Sequence, residues 1–151
     1  MDKWSFLATV LEDDGRISEA IATGAAWEIW MQVELMIACR RLGWSVAREL
    51  PYPAPLERKR LDMMFSDGRE KVALELKVES AQTSGDALMA KVEDDSHKLA
   101  LYPQSPGLSR WLLVLGYSWP VRCAMEDLER QQPERVILRI RGGIAAMLWE
   151  I

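Results

Sequence analysis

The chain has 151 residues, 49% of them apolar, and a formal charge of −4. That is the size of one domain (1–151) with enough apolar side chain to bury a core, and it excludes a broadly basic protein that grips duplex nucleic acid by charge alone. Two widely separated cysteines, Cys39 and Cys123, give no zinc spacing and no disulfide framework. The longest apolar stretches, 25–38 and 111–121, are interrupted by Glu28, Gln32 and Glu34 or are too short to span a bilayer. No membrane association is expected. The N-terminal Met-Asp-Lys-Trp lacks the layout of a signal peptide, so the expected location is cytoplasmic.

Trp4, Leu7, Ala8 and Leu11 recur at helical spacing and predict a short helix over 3–11, ended by the polar run Glu12-Asp13-Asp14-Gly15. A second helix is expected from 18 to 41, with a break at Gly24 and a stop at Gly43. At 100° per residue Glu34 lies among Trp27, Trp30, Met31, Ile37, Ala38 and Arg41, while Glu28, Gln32 and Arg40 fall toward the opposite side. A carboxylate centred on an apolar face has to be paired or bound to a metal, and a buried pair with Arg41 is its simplest structural explanation.

Residues 44–52 alternate as a first strand, closed by the prolines of 51–55. The basic cluster Arg58-Lys59-Arg60 follows. Each of its members suits a solvated surface, and Arg60, two residues from Asp62 and on the same strand face, is the best placed to meet phosphate.

The stretch 58–80 reads as a hairpin turning at Asp67-Gly68, since that pair accepts the positive φ of a tight turn between β-prone flanks. In its second strand Val72, Leu74, Leu76 and Val78 share one face, and Ala73, Glu75, Lys77 and Glu79 share the other. Glu75 and Lys77 then stand roughly 6.7 Å apart along the strand. Pairing about the turn brings Asp62 toward them, so two carboxylates and an ammonium group converge.

Beyond the hairpin, 79–85 is polar and loop-like, and 86–102 predicts a helix with Leu88, Val92, Leu99 and Tyr102 on its apolar side. Lys98 could reach phosphate from this helix or pair with Asp94 four residues before it. His97, the sole histidine, has no companions that would make it a catalyst. The continuous apolar run 110–117 suits a central strand buried on both faces. A helix over 120–131 and a hairpin turning at Gly142-Gly143 complete the chain.

An acid followed at hairpin distance by acid-any-Lys on an apolar strand resembles the PD-(D/E)XK nuclease superfamily. Leu61-Asp62 stands where that family has Pro-Asp, and Glu75-Leu76-Lys77 matches its second half in full. The resemblance covers roughly residues 25–117, with the predicted order helix, strand, strand, strand, helix, strand. It implies an α/β (α+β), restriction-endonuclease-like core: a central mixed sheet flanked by helices, here with an added C-terminal hairpin. It also implies a nuclease acting on nucleic acid, with DNA the expected substrate, that uses Mg²⁺ or Mn²⁺. Asp62, Glu75, the Leu76 backbone carbonyl and Glu34 would hold the metal, Lys77 would act on the attacking water, and Arg60 and Lys98 would contact the nucleic acid. The place of Glu34, in the helix before the first core strand, is where the superfamily often carries a glutamate.

Two other readings fit the same residues. One is a binding module that keeps the fold without turnover, such as an immunity or antitoxin-like protein or a subunit of a defence or repair assembly. The other is a solvated sheet face with cross-strand ion pairs. A homodimer would be the simplest way to cut both strands of a duplex, and a protein partner suits the binding module.

Overall fold

A computed structural model describes residues 2–24 and 26–151. The elements run α1 (Lys3–Val10), α2 (Asp14–Ala22), α3 (Trp27–Arg41), β1 (Ser45–Pro51), β2 (Arg60–Ser66), β3 (Lys71–Val78), α4 (Gly85–Ala100), β4 (Leu108–Gly116), α5 (Trp119–Gln131), β5 (Val136–Arg141) and β6 (Ile144–Glu150). The fold is α+β, an open six-stranded mixed sheet flanked by five helices. Among the described residues no helix is long and apolar enough to cross a membrane.

The N-terminal helices differ from the sequence expectation at one junction. The acidic run expected to end the first helix instead starts the second: Asp13 accepts the Arg16 N–H at 3.1 Å and caps α2, which begins at Asp14, four residues earlier than Ser18. The expected helix over 18–41 is therefore two helices, parted where Gly24 takes φ 65°. Asp2 caps α1 in the same way, accepting from Trp4 and Ser5.

Strand order is β1-β2-β3-β4-β6-β5. All neighbours are antiparallel except β3 and β4, which run parallel from Lys71↔Leu108 to Val78↔Leu115 and are joined through α4, as parallel neighbours require a crossover. The C-terminal hairpin is part of this sheet, because β6 inserts between β4 and β5.

Helices α1, α2 and α3 cover one face of the sheet and α4 and α5 the other. On the first face Phe65 stacks with Phe6 at 5.5 Å and with Trp44 at 5.6 Å, and Phe6 meets Trp111 at 5.4 Å, so α1, β1, β2 and β4 are locked through aromatic rings. Both faces of β3 are thus covered, and the face expected to be charged is as dry as the apolar one: Ala73 and Glu75 are buried with Leu74 and Leu76.

Glu79 also departs from the polar loop expected there. It is fully buried at the end of β3, where its Oε2 accepts the N–H groups of Tyr117 and Ser118 at 2.7 and 2.8 Å, and its main-chain oxygen accepts from the Trp27 indole at 2.7 Å. One carboxylate therefore ties the end of β3 to the turn that starts α5, where Ser118 is the N-cap.

Gly116 sits at the same turn, and a Cβ there would collide with Val121 Cγ1 and crowd Met125 Cε of α5. Gly116→Ala should cost about 1–3 kcal/mol through overpacking, read as a lower urea midpoint. A variant as stable as the parent would show that α5 does not press on this turn.

Candidate active site

Strands β2 and β3 pair from Ser66↔Lys71 to Met63↔Leu74, and there the ladder stops, one residue short of Asp62. Pairing of β2 with β1 continues to Pro51↔Arg60, but between Arg48↔Met63 and Leu50↔Leu61 the position facing Asp62 is Glu49, which holds φ 56°. Such a conformation in a non-glycine residue is uncommon and costs strain, of the kind that gathers at functional sites. The parting of β2 from β3 frees the Leu76 N–H from the ladder, and the Asp62 side chain fills the gap, accepting that N–H at 2.8 Å through Oδ2. Its Oδ1 accepts from Gln32 Nε2 at 3.2 Å.

Glu75 lies beside this gap and is 1% exposed. Its Oε1 accepts the Tyr52 hydroxyl at 2.7 Å and its Oε2 the Lys98 ammonium at 2.8 Å. Burial, and after it the charge of Asp62, push the Glu75 carboxyl up to about 7 despite those two donors. Burial and the bond to Glu75 push the Tyr52 hydroxyl far above its ordinary range, so it stays a proton donor. The ring of Tyr52 is fixed edge-on by Tyr102 at 5.3 Å.

Lys77 donates to the Leu76 carbonyl oxygen at 3.0 Å and pairs with Asp95 of α4 at 2.8 Å and Glu28 of α3 at 3.9 Å. Burial works against its charge, but Glu28 and Asp95 outweigh burial and raise its pKa. Lys98 behaves alike: burial opposes its charge, while Asp95 at 2.8 Å and Glu75 raise its pKa. For Asp95 the sign reverses, since the two lysines overcome burial and hold its carboxyl below the usual range. Burial raises the Glu28 carboxyl, with Asp62 adding to the effect and Lys77 opposing it. Three carboxylates (Glu28, Glu75 and Asp95) thus pair with two ammonium groups, and Asp62, held by the Leu76 N–H and Gln32, lies beside them, so that with every group ionised the cluster carries more negative than positive charge.

Asp62, Glu75, Lys77 and Lys98 come together in this cluster. Lys98 bridges Asp95 and Glu75, so its carboxylate partner on α4 is Asp95 and not the expected Asp94. Arg60 is exposed at the first residue of β2, on the strand that carries Asp62. Glu34 is elsewhere: its Oε1 pairs with Arg16 of α2 at 2.8 Å, in a separate cleft with Glu12, Trp30 and Arg41, so neither the metal-ligand role nor the expected Arg41 pair describes its place.

The correction has a simple cause. Helix α3 packs against α2 as well as the sheet, and the side that carries Glu34, with Trp30 and the exposed Ile37, turns to Arg16 of α2 and to solvent, while Trp27 alone of its aromatic residues reaches the end of β3. Glu28 and Gln32, set aside as the polar side, are the α3 residues that reach Lys77 and Asp62. Their i,i+4 spacing, which puts two polar side chains on one side of the apolar first half of α3, was the available signal.

No group of three or more His, Cys, Asp or Glu gathers closely enough to hold a metal among the described residues. A cation here would therefore have to combine the carboxylates of Asp62 and Glu75 with neutral oxygens. Two are at hand: the Leu76 carbonyl, and Gln32 Oε1, a buried acceptor with no hydrogen-bond donor. Carboxylate plus carbonyl oxygens form the donor set of a hard divalent cation that keeps several waters. After burial, the charge of Asp62 is the second cause that raises the Glu75 carboxyl, and it is this part that such a cation would relieve.

Compared with protein-family models, with curated proteins and with solved structures, the chain finds no match.

In metal-free protein the raised Glu75 carboxyl makes folding pH-dependent. The folded chain keeps a proton between about 4.5 and about 7 that the unfolded chain releases, so stability falls as pH rises through that window, by at most about 3 kcal/mol. Glu28 acts in the same direction. Urea titrations across this range in the presence of a chelator should show the decline, and Glu75→Gln should flatten it. An equally steep decline in the variant would remove Glu75 as its source.

Proposed function

We propose that the chain is a metal-dependent nuclease of the PD-(D/E)XK type that hydrolyses phosphodiester bonds in DNA. One observation carries the reading: Asp62, Glu75 and Lys77 meet where β2 parts from β3, with the Leu76 main chain between them. Supporting it is the element order α3-β1-β2-β3-α4-β4, which is the order the resemblance implies, with the acids on its second and third strands.

Asp62, Glu75, the Leu76 carbonyl and Gln32 Oε1 would hold Mg²⁺ or Mn²⁺. When bound, the ion supplies Lewis-acid stabilisation of the charge that develops on phosphoryl and leaving oxygens. The chain's own residues provide the rest. Tyr52 and the Leu76 N–H fix the two carboxylates in place, so little reorganisation is needed at the moment of reaction. Lys98 can give up Glu75 while keeping its pair with Asp95. Lys77, partly buried and carrying a firmly held proton, is suited to orient the attacking water and to offset phosphate charge, and Asp95 and Glu28 aim its ammonium group.

A second reading has its own support. Each Glu75 oxygen already has a donor and the Leu76 carbonyl already accepts from Lys77, so these oxygens have partners without any added ion. A catalytically silent binding module of the same fold would look like this, and the net charge of −4 suits a protein partner better than bare duplex.

Incubation with supercoiled, linear and single-stranded DNA, and with RNA, in Mg²⁺ or Mn²⁺ separates the two. Cleavage should require the ion and fall by at least about 100-fold in Asp62→Asn and in Lys77→Met. Glu34→Gln should cleave like the parent. Activity that survives both of the first substitutions would remove this site, and inertness toward every substrate would leave the binding module.

A further inference from the structure

A cleft of about 570 Å³ opens beside the carboxylate cluster, between the first turn of α3 and the connection from β3 to α4. It shares Glu28 and Lys77 with the cluster and extends past Ile29 to Gln82, Thr83 and Lys91. One wall is apolar and the other bears hydroxyl, amide and ammonium donors, the mixture that suits a nucleotide.

Lys91 differs from the other two lysines of the site. Lys77 and Lys98 are each matched by carboxylates, whereas among the described residues Lys91 makes no ion pair and donates only to the Thr83 hydroxyl at 3.0 Å. Its natural helical partner four residues on is Asp95, and that carboxylate is already engaged by Lys77 and Lys98. The connection that presents Thr83 is itself rigid, closed by reciprocal backbone hydrogen bonds between Ser80 and Thr83 at 2.9 and 3.0 Å. An uncompensated ammonium group is therefore held at the far side of a cleft whose near side is the proposed catalytic lysine.

The geometry points to Lys91, with Gln82, as the anchor for a backbone phosphate of the nucleic-acid strand next to the one being cut, so that the strand enters along this cleft; this rests on the nuclease reading above. Lys91 touches no reacting atom. It positions the strand, and its contribution belongs to binding rather than to the chemical step.

The test compares Lys91→Ala, Lys91→Arg and Lys71→Ala in the full chain. Lys71 is exposed at the opposite end of β3, about 20 Å of strand away from Lys77, so its removal changes net charge equally but not the cleft. With a fluorescent single-stranded oligodeoxynucleotide in Mg²⁺, Lys91→Ala should raise KM about threefold to tenfold with kcat nearly unchanged, and lower the slope of log affinity against log salt by about one. Arginine should restore most of the affinity, and Lys71→Ala should leave the slope nearly unchanged. Lys91 is exposed, so an unchanged melting temperature will report an intact fold. If the parent cleaves DNA but Lys91→Ala keeps its KM and salt slope, the anchor is refuted and the nuclease reading stands. If the parent neither binds nor cleaves any nucleic acid at low salt, both are refuted.

Discussion

Glu75 is held in a dry sheet by a tyrosine hydroxyl and an ammonium group, with a second carboxylate, Asp62, close enough to push its proton affinity up. A buried charge of this kind persists only when its surroundings are built for it. Around Glu75 they are. Tyr52 comes from the end of the first core strand, Lys98 from the crossover helix and Asp62 from a strand that leaves the ladder one residue early. Their common point is the carboxyl of Glu75.

The sheet topology explains why the cluster can gather residues from both sides. Helices α3 and α4 lie on opposite faces, yet Glu28 and Asp95 both reach Lys77, near the end of β3. Beyond Met63 the neighbouring strand has moved away, so the edge of β3 is open there and its backbone groups are served by side chains. Charged groups in that opening compensate one another incompletely. A proton on Glu75 or an added cation would each reduce the surplus, and this gives the cluster chemical leverage that a simple ion pair lacks.

Glu34 and Glu28 make a useful contrast within one helix. Both are acidic and partly buried, and both face a basic partner, but Glu34 closes an ion pair with Arg16 between helices whereas Glu28 joins a network with excess negative charge.

The local order of this chain was legible without coordinates. Alternation in 72–78, the apolar run of β4 and the Gly142-Gly143 hairpin specify their elements because side-chain period and turn chemistry are short-range properties, and the Asp67-Gly68 pair marks the β2–β3 connection, although the pairing Ser66↔Lys71 makes it a four-residue loop rather than a tight turn at that pair. The likeness of Asp62 and Glu75-Leu76-Lys77 to a nuclease pattern was legible for the same reason, being a matter of spacing about one hairpin. What only tertiary structure decided is which side of α3 meets the sheet, that Asp13 begins a helix rather than follows one, that Glu79 is a buried clasp, and that Tyr52, Gln32 and Asp95 complete the cluster. Those outcomes depend on contacts between residues as much as 52 positions apart, such as the Trp27 indole on the Glu79 carbonyl. No periodicity within a single helix or strand encodes which distant surface will cover it.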